Sequence, residues 1–279
     1  MRPLLRVIFN KLMTQPNVLW ISVSAHLRCF DQRLLSRLAG KATVRRWEYY
    51  QSLDEPCCVQ SIVDMLYAYV SDRARLESQL KDSVGHEAYK LHLVGHGVSG
   101  IVALLYAQQH PEHVASLTLL SIAANPAVNW QAHYYALRNL LPCSREMVLA
   151  QMTRLLFGPQ SIRLTKALSQ LLASDLDSAP TLHSLAHHTQ ILPGQVSVPL
   201  LICNGEFDAV VGSHNDVQWQ KWCVCSTSDD GANDTDLQLW RCPEGNHFFH
   251  FYHAAAVATA LEKHWKTVMQ QSKRSHVLC

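Results

Sequence analysis

Three short stretches carry residue types that could do chemistry together. An apolar run ends at Cys203, and Asn204-Gly205-Glu206-Phe207-Asp208 follows it with a carboxylate. A second run ends near Arg241, and Cys242-Pro243-Glu244-Gly245-Asn246-His247-Phe248 follows it with an imidazole. In the third stretch, Leu91-His92-Leu93-Val94 leads through Gly95-His96-Gly97-Val98-Ser99-Gly100 into Ile101 to Ala107, which reads as a buried helix. A carboxylate beside an imidazole suits proton transfer: the acid fixes the ring tautomer and the ring accepts the proton. Such a pair usually serves a hydroxyl or thiol nucleophile. At the apex of the turn this chain has Gly97 instead.

Each group stands just past the C-terminal end of an expected strand, where open parallel sheets build their sites. The order turn, acid, histidine, spread over roughly Asn17 to Trp265, resembles the α/β-hydrolase superfamily. The nucleophile elbow of that family reads Gly-x-Ser-x-Gly, and those places hold Gly95, His96, Gly97, Val98 and Ser99. Pro126 to Trp130 and Pro243 to His253 further resemble a hydrolase-like subgroup common in cyanobacteria. The resemblance implies that Asp208 orients the base, His247 is the base, and Gly97 is a vacant nucleophile position. It implies that the Val98 N–H is one oxyanion donor. The second belongs near Ala25 and His26, where the family often carries His-Gly and this chain has Ser24-Ala25-His26-Leu27. His96, Trp130 and Tyr134 are the expected substrate-binding residues. Plainer readings stand beside these. Asp208 could cap a turn, His247 could pack among aromatics, and Trp130 with Tyr134 and Leu137 could be a helix face packed on the sheet.

Glycine tolerates the strained backbone of an elbow but removes the attacking oxygen. Loss of a triad serine costs about a millionfold in rate. Ser99 meets the need for a small residue where helix and strand pack; centring the elbow on it would put Ile101 where glycine belongs. The expected function is therefore an impaired hydrolase-family protein that binds a small apolar or acyl-containing molecule, or a protein partner. The alternative is an active hydrolase or lyase. It would use Asp208–His247 as a general base, or Ser99 as a displaced nucleophile, on an ester, thioester or amide.

The elements that must hold these groups follow from periodicity. Strands are expected at Asn17–Val23, Thr43–Tyr49, Tyr89–Val94, Ala115–Ser121, Val198–Cys203 and Leu237–Arg241. Helices are expected at Leu27–Leu38, from Asp54 (N-cap) and Pro56 through Tyr69, at Ser99–His110 and at Ala254–Met269. Between Asn125 and Leu192 no strand-like run occurs. Helical stretches at Trp130–Leu141, Ser144–Phe157, Ser161–Leu176 and Thr181–Thr189 are separated by Pro142, Pro159 and Pro180. The expected fold is α/β: a mostly parallel sheet flanked by helices, residues 1–124 and 193–279, with an inserted helical cap over 125–192.

The bulk composition narrows the function classes. With 279 residues, 48% hydrophobic and 16% charged, the chain can bury a substantial core. A net charge of +2 with scattered Lys and Arg gives no case for nucleic acid. No apolar stretch reaches membrane-span length. The basic, mildly amphipathic Met1–Gln15 reads as a segment docked on the domain, and the chain shows no secretory leader. Nine scattered cysteines fit reduced, buried thiols in a cytoplasm. Cys223-Val224-Cys225 lacks a second ligand pair, and Ser226–Asp236 lacks a calcium-loop pattern. His250 and His253 have no carboxylate between them, so neither metal nor other cofactor is expected.

Overall fold

The computed structural model describes residues 15–50, 58–80, 89–178, 196–224 and 236–277. The expectations for Met1–Thr14, Asp54, Pro56, Cys57, Thr181–Thr189 and 226–235 lie outside these residues.

Six strands form one sheet: β1 (Asn17–Ser22), β2 (Thr43–Glu48), β3 (Leu91–His96), β4 (Val114–Leu120), β5 (Leu200–Gly205) and β6 (Leu237–Cys242), in the order β2-β1-β3-β4-β5-β6. Every neighbouring pair is parallel. The central strands β3, β4 and β5 are buried nearly end to end, which is why they read as continuous apolar runs rather than alternating ones. Chain order reverses between β1 and β3, and loops leaving those two strands diverge there to open a crevice.

Helices cover both faces. On one side α2 (Val59–Leu80), α3 (Val98–Gln109) and α7 (Asn215–Val224) pack a core containing Ile62, Leu66, Val102, Tyr106 and Trp219. On the other, α1 (Gln32–Leu38) and α9 (Ala254–Val277) bury Leu34, Leu38, Leu261 and Trp265. Between β4 and β5 the chain inserts α4 (Trp130–Leu140), α5 (Arg145–Phe157) and α6 (Ile162–Asp177). Asn129, Ser144 and Ser161 start these three helices by accepting from Ala132, Met147 and Leu164 N–H groups. Their buried faces form a third cluster with Leu27 and Phe30.

One local reading is corrected. Leu27–Leu38 is not one helix but a 3₁₀ segment, Ala25–Asp31, running into α1. The close strand–helix approach at Ser99 also involves two glycines. A Cβ on Gly95 would lie 2.6 Å from the Gly100 Cα, so that glycine pair sets how tightly α3 lies on β3.

Candidate active site

β3 delivers His96 and Gly97 to the sheet's C-terminal rim, and α3 begins immediately. Gly97 has φ 53° and ψ −128°, a conformation an L side chain adopts at a cost of about 1–3 kcal/mol. A Cβ built there meets nothing within 4 Å. The apex is therefore strained in backbone yet open in space. Val98 and Ser99 open α3, whose first amides have no carbonyl one turn back to bond. Ser99 is engaged by the backbone after β1: its Oγ accepts the Val23 N–H at 3.0 Å. It is buried in the joint between β1 and α3.

The loops after β5 and β6 brace each other. Phe207 N–H donates to the Gly245 carbonyl at 2.7 Å, Glu206 N–H to the Cys242 carbonyl at 3.0 Å, and Glu244 N–H to Glu206 Oε2 at 2.9 Å. This bracing brings Asp208 and His247 together, with His247 Nδ1 3.0 Å from Asp208 Oδ2. Both side chains are 1% exposed. Burial opposes charge on Asp208. Attraction to His247, and hydrogen bonds from His247 and the Val210 N–H, more than offset it, so its carboxyl titrates below the ordinary value. An ionised carboxylate accepts, so His247 Nδ1 carries a proton, and it is Nε2 that bears the lone pair when the ring is neutral. That Nε2 is buried and has no partner among the described residues. The His247 carbonyl is held from two sides, by Ser121 Oγ at 2.6 Å and His96 Nε2 at 3.1 Å.

Beside Gly97 lies a cleft whose lining includes His96, Ser24, Asp31, Trp130, Gln131 and Phe248. The cleft has a volume of about 30 Å³, room for a small group. Of the residues expected to contact substrate, His96 and Trp130 line this cleft. Tyr134 does not: it is buried among Leu27, Trp130, Val148 and Met152, the packing role its helical spacing allowed. Ala25 and His26 sit in the first turn of the 3₁₀ segment, His26 exposed to solvent, while their neighbours Ser24 and Leu27 reach the cleft.

Sequence reasoning missed a second acid–imidazole pair. His250, wholly buried, places Nε2 3.3 Å from Asp31 Oδ1, and Trp20 Nε1 donates to Asp31 Oδ2 at 2.9 Å. The His250 ring lies 4.7 Å from His96, which lies 5.0 Å from His247. A faint signal existed in His247 and His250, three apart at the start of a short helix (α8, Phe249–Tyr252). Their partners come from distant parts of the chain. Among the described residues no three His, Cys, Asp or Glu side chains gather as metal ligands.

The sheet order, the elbow at Gly97 and the acid and histidine loops define an α/β-hydrolase fold. Solved structures agree. A putative lipase from Acinetobacter baumannii superposes with a TM-score of 0.66 at 18% identity, covering 92% of this chain and 86% of the lipase. A thermophilic esterase gives 0.59 at 19%, covering 91% of each chain. No protein-family model matches the chain. An uncharacterized protein of Synechocystis sp. is 35% identical over 92% of this chain and 93% of its own length. One from Nostoc sp. is 36% identical over 90% of each. The chain belongs to the family of these two cyanobacterial proteins.

Proposed function

We propose that this α/β-hydrolase-type protein has lost covalent acyl transfer at Gly97 while keeping the Asp208–His247 pair and a ligand cleft beneath the inserted helices. On this reading residues 125–192 form a cap, and the cyanobacterial relatives belong with the hydrolase-like subgroup that the sequence resembles. Buried Cys203 and Cys242, whose thiols burial pushes to high pKa, fit a reducing cytoplasm.

The observation that carries the reading is the apex. Gly97 holds the backbone of an elbow, space is open where a side chain would stand, and His247 Nε2 is buried with no partner among the described residues. On this reading the acid and the base that would activate a hydroxyl remain, and the hydroxyl is gone. The test pairs the wild-type chain with Gly97→Ser, using a fluorophosphonate probe and short-chain nitrophenyl esters. The wild-type protein stays unlabelled and hydrolyses esters at the no-enzyme rate. Gly97→Ser takes the label and turns over. Labelling of the wild-type chain overturns the proposal, and a folded, silent Gly97→Ser shows that the remaining site is not intact.

The unpartnered Nε2 also supports a second reading, direct attack by water with His247 as general base, worth about 10²–10⁴-fold on an already reactive substrate. Wild-type turnover without labelling, abolished by His247→Ala, favours it.

A further inference from the structure

The cleft beside Gly97 has a wall of hydrogen-bond acceptors that neither the elbow nor the Asp208–His247 pair requires. Asp31 lines it, 7% exposed, and each of its oxygens has a lone pair to spare beyond the Trp20 and His250 contacts. Gln131 lines it from α4, 5% exposed. Its Nε2 points to Asp175 Oδ2 at 3.4 Å, and a carboxylate only accepts, so the amide oxygen is turned the other way. That Oε1 is buried without a partner among the described residues. His96 completes the wall. Its Nε2–H donates to the His247 carbonyl, which leaves Nδ1 a bare lone pair. Burial, with His250 and His247 beside it, keeps the ring neutral.

An unpaired buried acceptor is costly, and Gln131 Oε1 is one; Asp31 and His96 add a charged and a neutral acceptor to the lining of the same cleft. A primary ammonium supplies three donors from one compact atom. Two guanidiniums stand nearby, but both are shared. Arg46 lies 3.9 Å from Asp31 and 3.2 Å from Glu48, and Arg28, which also lines the cleft, lies 3.5 Å from Glu48. Trp20, Leu27, Trp130 and Phe248 supply apolar walls for a carbon stem.

We propose that this cleft binds the primary ammonium group of a small molecule, with Asp31, Gln131 Oε1 and His96 Nδ1 accepting its three protons. The assignment rests on the cleft being a ligand site, and it replaces the apolar ligand expected from the sequence with a cationic one.

The test uses the full chain and four probes at equal ionic strength: ethylammonium, ethanol, tetramethylammonium and acetate. Saturation-transfer NMR and the fluorescence of the chain's tryptophans, two of which line the cleft, report binding. Ethylammonium binds saturably and about tenfold more tightly than ethanol. Tetramethylammonium, a cation without donors, and acetate do not bind. Gln131→Met, which removes Oε1 and keeps the side chain's length, weakens ethylammonium binding about tenfold with an unchanged circular dichroism spectrum. Equal binding of ethanol, binding of tetramethylammonium, unaltered affinity in folded Gln131→Met, or no saturable ethylammonium binding each overturns the assignment. Such a failure beside an unlabelled wild-type chain leaves the impaired-catalyst reading standing. Fluorophosphonate labelling of the wild type removes that reading whatever ethylammonium does.

Discussion

At residue 97 backbone and side chain make opposite demands. Serine there would supply the hydroxyl that His247 lacks, but it must sit at φ 53°, so Gly97→Ser is expected to lower stability by about 1–3 kcal/mol while restoring chemistry. A lower urea midpoint with new esterase activity is the expected pair of results. Ser99 behaves in the reverse way. Its hydroxyl satisfies the buried Val23 N–H, so Ser99→Ala leaves that donor unpaired and costs about 1–3 kcal/mol. In a Gly97→Ser background it leaves esterase kcat essentially unchanged; a kcat reduced to background would put the attacking hydroxyl on residue 99. The apex, Asp208 and His247 were legible in the sequence because each lies in a short local pattern at a strand end. Asp31, His250 and Gln131 were not, because what makes them notable is a contact between distant segments. Asp31 in sequence is an ordinary polar residue in a helical stretch.

The elements of the sheet were readable from buried apolar runs and the helices between them, with strand ends misplaced by one or two residues. Two helices were overlooked, the four-residue α8 and the longer α7. In α7, Trp219, Trp222 and Cys223 fall at helical spacing and enter the core, but polar neighbours mask the pattern, and Cys223 drew attention as a metal candidate instead. The inserted helices were legible as helices, though not their means of attachment. That attachment is aromatic. Phe157 at the end of α5 stacks 4.8 Å from Phe248, beside the histidine loop, and lies 5.0 Å from Phe30 in the 3₁₀ segment. Phe248 N–H also donates to the Leu156 carbonyl at 3.1 Å. Truncation should therefore loosen the insertion from the site. Phe157→Ala is expected to cost about 3–5 kcal/mol, and hydrogen exchange should quicken in α5 and α6 before the sheet responds. Uniform protection loss across β3 and β4 at the same rate would mean that the insertion does not open separately.

For the molecule as a whole, two histidines buried far from the cleft tie stability to pH. His92 on β3 hydrogen-bonds Ser116 Oγ at 2.8 Å, and burial, with His264 nearby, lowers its pKa from 6.5 to about 3. His264 on α9 points Nδ1 at Gln238 Oε1 at 3.2 Å, and burial lowers its pKa to about 4. Both rings are neutral in the folded protein. Unfolding releases them to their ordinary value, so below pH 6.5 the unfolded chain binds protons that the folded chain refuses. The stability these groups contribute is complete above that pH and is lost as pH falls toward about 4 and then about 3. In that window each histidine costs about 1.4 kcal/mol per pH unit. Urea unfolding between pH 7 and 4 measures the slope, and the circular dichroism midpoint should drop steeply below 6.5. His264→Gln, which keeps a donor for Gln238, should remove about one proton's share of that slope. An unchanged slope in the variant would mean that His264 already takes up its proton in the folded state, and would assign the acid lability to other groups.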